Sequence, residues 1–98
     1  MGFTVLENVE FAQYPNVSVA NTQYTLNGSY ELKKNPNNTY NIHSYAKVYT
    51  SGDHSKPPID MIGVTLWNLA ELPADIFAAL YIALKALPRF AGKTFVDN

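Results

Sequence analysis

Cysteine is absent from this chain of 98 residues. That excludes disulfides, thiolate nucleophiles and cysteine metal sites. Charge is scarce too: Asp, Glu, Lys and Arg make up 15% of the residues, against roughly 25% in ordinary globular domains. The net charge is −1, so no basic field draws in nucleic acid, and nucleic acid is not an expected partner. Weak self-repulsion also leaves copies free to associate.

Recognisable chemistry is equally sparse. The five glycines are scattered and form no phosphate-cradling loop. Histidine occurs only at His43 and His54, with Asp53 and Asp60 near the second, and no HxxxH or HExxH spacing exists. Three or four converging ligands are needed for a metal site, so neither metal nor cofactor is expected. No GxSxG elbow is present, and no two acids are placed by spacing alone to share a cleft. An enzyme is not expected. Residues 1–12 lack the basic start and apolar core of a secretory signal, which points to a cytoplasmic chain. The apolar run from Ile76 to Leu84 is too short to span ~30 Å of hydrocarbon, and Glu71, Pro73 and Asp75 interrupt the sequence before it. No membrane span is expected.

What is present is apolar and aromatic: 47% and 13% of the residues. Ninety-eight residues suffice for one domain with one modest core. Composition changes near residue 51. Before it, aromatic and β-branched residues alternate with Asn, Gly and Pro; after it, Leu, Ile and Ala dominate. Strands followed by helices make an α+β chain, with a sheet half at 1–50, a linker at 51–58 and a helical half at 59–98.

Four strands are expected, at 3–12, 17–26, 29–34 and 39–50, forming an antiparallel meander. Turns fall at Tyr14-Pro15-Asn16 and Asn35-Pro36-Asn37-Asn38. Asn27-Gly28 reads as a type I′ hairpin, which needs positive φ at both positions. On the fourth strand, period two places Ile42, Ala46 and Val48 on a core face. Asn41, His43, Tyr45, Lys47 and Tyr49 fall on the other.

One or two helices, at 58–71 and 73–87, are expected to cover this sheet. Pro58-Ile59-Asp60 and Pro73-Ala74-Asp75 each place proline at a first helical position with aspartate two further on. Ile59, Ile62, Leu66 and Leu69 recur at helical spacing, although Gly63, Val64 and Thr65 suit a strand IGVTLWN equally well. The later segment is richer in helix formers and is stopped by Pro88. Its bulky face, Ile76, Phe77, Leu80, Tyr81, Leu84 and Leu87, is expected on the sheet. Its small face carries Ala79, Ile82, Ala83 and Ala86, a candidate oligomer interface.

The polar face of the fourth strand is the candidate partner surface. His43, Tyr45, Lys47 and Tyr49 stand there in a row, and tyrosine offers large contact area at low entropic cost. The plain alternative is an ordinary wet face steadied by cross-strand tyrosine pairs. Together these features describe a small non-enzymatic protein–protein interaction module. It is expected as a homodimer that binds a host protein, in the manner of viral or phage accessory and inhibitor proteins. A second reading is a small-molecule or nucleotide binder with an apolar pocket between sheet and helix lined by Trp67, Phe77 and Tyr81. A third is an enzyme whose acids or histidines converge only in the fold.

Overall fold

The computed structural model describes residues 2–14, 16–50 and 57–97. Among these residues eight strands, β1 (Phe3–Val5), β2 (Val9–Glu10), β3 (Ser18–Val19), β4 (Thr22–Leu26), β5 (Glu31–Lys34), β6 (Tyr40–Tyr49), β7 (Asp60–Leu69) and β8 (Phe95–Asp97), accompany one helix, α1 (Ile76–Lys85). The α+β expectation holds, but the sheet is larger than a four-stranded meander. It has six antiparallel strands, and β2 and β3 form a separate ribbon. The ten-residue β6 is its spine. β7 runs along one edge of β6, while β4 and β5 share the other, and β1 and then β8 follow β4.

Three sequence expectations are corrected. First, Asn27-Gly28 is no hairpin. β4 and β5 run in the same direction along β6: Leu26 faces Ala46 and Glu31 faces His43, so residues 27–30 oppose only Ser44 and Tyr45. Neither Asn27 nor Gly28 takes the positive φ that a type I′ turn requires. Asn27 N–H instead donates to the Tyr45 carbonyl (2.8 Å), and Ser44 Oγ donates to the Ser29 carbonyl (2.9 Å). The segment is a bulge that joins two halves of one interrupted strand. The reversal comes later, at residues 35–39, where Asn38 has φ 63° and Asn35 N–H donates to Thr39 O (2.8 Å).

Second, 58–71 is not helix. Asp60–Leu69 is a strand paired with β6 from Val48↔Asp60 to Tyr40↔Leu69. Ile62 and Leu66 lie four apart, which satisfies both a period of two and a period near 3.6. The long edge of β6 decides between them. Residues 50–59 thus join two strands of one sheet rather than a sheet half to a helical half. Asp53 and His54 lie outside the described residues.

Third, the first expected strand is split, with Phe3–Val5 in the main sheet and Val9–Glu10 in the ribbon. The second splits likewise, into Ser18–Val19 in the ribbon and Thr22–Leu26 in the sheet. Between the ribbon strands Val17 N–H donates to Tyr14 O (3.0 Å); Pro15, at the centre of the turn expected there, lies outside the described residues.

The expected helix forms but is shorter than 73–87. Asp75 is its N-cap, not its third residue, and accepts a hydrogen bond from Ala78 N–H (3.0 Å). Lys85 sits in its last turn, where a cation complements the dipole. Pro88 then opens a short 3₁₀ turn, Pro88–Phe90. Leu80 and Leu84 are fully buried, and Ile76, Phe77, Tyr81 and Leu87 pack around them. Ile42, Ala46 and Val48 of β6 are buried in the same core cluster, so the expected core face is the real one.

A ring cluster closes the core beneath the end of α1. Phe3 stacks on Tyr24 (centroids 5.3 Å), and Phe90 meets both edge-on, at 6.0 and 5.0 Å. Gly2 allows β1 to lie this close, because a Cβ there would stand 2.5 Å from the Tyr24 carbonyl oxygen.

Candidate functional site

α1 covers one face of the sheet; among the described residues no element covers the other. On β6 this open face carries His43, Tyr45, Lys47 and Tyr49, so the expected row exists as a row. β7 doubles it. Odd-numbered residues of β7 fall on the same side, in register: Met61 beside Lys47, Gly63 beside Tyr45 and Thr65 beside His43. Trp67 follows at a bulge, where Asn68 takes φ 53° and donates its N–H to Asn41 Oδ1 (3.0 Å).

Local contacts order the centre of this surface. His43 Nδ1 and Thr65 Oγ1 share a short hydrogen bond (2.6 Å), and the His43 and Tyr45 rings meet edge-on at 4.8 Å. A Cβ at Gly63 would lie 3.2 Å from His43 Cε1 and 3.7 Å from Tyr45 Cε1. The two rings therefore lean over the glycine and cover backbone that has no side chain of its own. Around them the large side chains stay in water: Tyr45 is 46% exposed, Met61 41% and Trp67 68%. Single exposed apolar residues are ordinary, but here three stand along one face of two adjacent strands, with Lys47 beside Met61.

Sequence reasoning missed Met61, Thr65 and Trp67 as members of this face. Their signal was the odd parity of the strand reading, which the helical reading hid.

The other expected sites fare differently. Trp67 does not join Phe77 and Tyr81 in a pocket: strand alternation sets it on the open face, while both helix residues pack toward the core. Phe77 meets Tyr30 edge-on at 5.6 Å, and the Tyr81 hydroxyl accepts from Leu26 N–H (2.9 Å). These two residues do line an open cleft of about 460 Å³ with Thr25, Leu26, Asn27, Gly28 and Asp75. The small face of α1 is not uniform. Ile82 is 72% exposed and Ala86 is exposed, whereas Ala83 packs against the core.

Polar groups elsewhere serve the fold. Asp60 is buried and its Oδ2 accepts from Ala12 N–H (2.6 Å), tying the β2–β3 ribbon to the start of β7. The Glu7 carboxylate accepts from both Thr94 N–H (2.6 Å) and Thr94 Oγ1 (2.7 Å). The backbone bond, then the hydroxyl, hold its pKa below the ordinary glutamate range. Burial pushes the Tyr24 hydroxyl above the ordinary tyrosine range. Among the described residues no three of His, Asp and Glu converge as metal ligands, and no helix is long and apolar enough to cross a membrane. No protein-family model, curated protein or solved structure matches the chain.

Proposed function

We propose that the chain is a non-enzymatic protein-interaction module whose binding surface is the open face of its sheet. The observation that carries this reading is the exposure of Tyr45, Met61 and Trp67 on two paired strands, with no second layer over them among the described residues. Tyr and Trp are the residues that dominate binding hot spots, and methionine adapts to irregular partners. Thr65 holds His43 by a hydrogen bond and Tyr45 lies against Gly63, so part of the surface is ordered before a partner arrives. Lys47 lies next to Tyr45 on this face, and suits a partner with an acidic residue at the rim of its contact.

The test is capture with the intact chain as bait, compared with a Tyr45→Ala/Trp67→Ala variant of unchanged circular dichroism. A stoichiometric protein partner is expected with the parent chain. Its dissociation constant should rise by a factor of roughly 30 or more with the variant, as for loss of a ~2 kcal/mol hot spot. A partner retained at equal affinity by the variant refutes the surface.

The cleft beside Phe77 and Tyr81 supports a second reading, a small-molecule binder. A thermal-shift screen against nucleotides and metabolites checks it, since a ligand bound only by the native state raises Tm. A library without a hit counts against it.

A further inference from the structure

We propose that β7 pairs antiparallel with β7 of a second copy of this chain, joining two sheets into one continuous sheet. The strand edges of this sheet differ in how they are protected. Natural sheets blunt free edges with charge, proline, bulges or short length. β5 carries Glu31, Lys33 and Lys34, all exposed, and β8 is only three residues long and ends in Asp97. β7 runs ten residues, has neither charge nor proline between Met61 and Leu69, and is regular from Met61 to Leu66, with its bulge confined to the Trp67–Asn68 end. Its one charged residue, Asp60, is buried and bonded to Ala12. Among the described residues no strand lies along its outer edge.

Backbone direction agrees. Asn27 N–H bonds to the Tyr45 carbonyl, so odd residues in this part of β6 aim their polar groups at the β4 side. Even residues then aim theirs at β7. Across that ladder Ile62 and Val64, facing Ala46 and Ser44, bond inward, and Met61, Gly63 and Thr65 point N–H and C=O outward.

The sequence of β7 is self-complementary about Val64. A two-fold axis there, normal to the sheet, sets Met61 opposite Trp67 and Gly63 opposite Thr65 on the open face. Ile62 then meets Leu66 on the core face. Each Trp67 ring gains a methionine sulfur, a favourable contact. The bulk of Trp67 and Thr65 faces side chains that leave room. Antiparallel pairing about a two-fold closes at two copies, which removes both exposed edges at once. The axis keeps both helices on one side and joins the two open faces on the other.

Two variants at exposed positions test the register. Met61→Lys/Trp67→Lys places lysine opposite lysine at both ends of the seam. Met61→Lys/Trp67→Glu places lysine opposite glutamate. In sedimentation velocity, the parent chain should show a concentration-dependent dimer. The Lys/Lys variant should raise the dissociation constant roughly tenfold or more, since like charges directly opposite repel. The Lys/Glu variant should dimerise and weaken with salt. The chain has no cysteine, so Met61→Cys/Trp67→Cys should form an intermolecular disulfide on mild oxidation. A monomeric parent chain at high micromolar concentration overturns the proposal. So does a Lys/Lys variant that dimerises like the parent, or a Lys/Glu variant as monomeric as the Lys/Lys one. The readout is self-association alone, so its failure leaves the partner test above untouched.

Discussion

Glu7 shows how one side chain ties distant segments together. Its carboxylate accepts two hydrogen bonds from Thr94, which lies just before β8, while Leu6 N–H donates to Thr94 O (3.1 Å). Because its folded pKa is depressed, the stabilisation is present above the unfolded value and is lost as pH falls through the folded one. Glu7→Gln should therefore melt at a lower temperature than the parent chain at neutral pH. The gap should close in the acid limb below the ordinary glutamate value of 4.5. Thermal melts across that range check it; a gap independent of pH would refute the linkage. Sequence could not reveal this contact, since 87 positions separate the partners. The alternation of Ile42, Ala46 and Val48 was plain, because strand geometry makes every second side chain share a face.

Individual elements were legible where local chemistry and packing agreed. α1 combines strong helix formers, one bulky face and an acidic start, and each feature points to the same state. Asp75→Ala should cost about 1 kcal/mol in urea denaturation, the usual loss for an N-cap, with Asp75→Asn restoring most of it. Equal stabilities for the Ala and Asn variants would show that the Ala78 bond contributes nothing. β7 was misread because Ile62 and Leu66 serve either period and Pro58-Ile59-Asp60 imitates a helix start. Asn27-Gly28 was misread because a turn signal reports what backbone angles are easy, not which strand stands opposite. β6 offers one edge long enough for both β4 and β5, and the chain follows it.

At the scale of the molecule, β1 is held between β4 and β8, with Phe3 opposite both Tyr24 and Asp97. Pairing the two ends of the chain must overcome loop-closure entropy before it is rewarded, so refolding should fall in the millisecond-to-second range. Phe90 bridges the rings of β1, β4 and β8, at 6.0 Å from Phe3, 5.0 Å from Tyr24 and 5.9 Å from Phe95. Phe90→Ala should cost about 3–5 kcal/mol in chemical denaturation, as transfer and cavity terms add. A change below about 1 kcal/mol would mean that the cluster collapses onto the void or that its rings are not packed as described.

By itself the sequence determined the α+β class, the core face of β6 and the sheet-facing side of α1. Those properties follow from side-chain period, which is local. The tertiary structure decided the number and order of strands, the state of β7 and the pairing of Met61, Gly63, Thr65 and Trp67 with the row on β6. Those properties depend on which backbone edge lies opposite. Hydrogen bonding across an edge is blind to side-chain identity, and only the assembled sheet selects the partner.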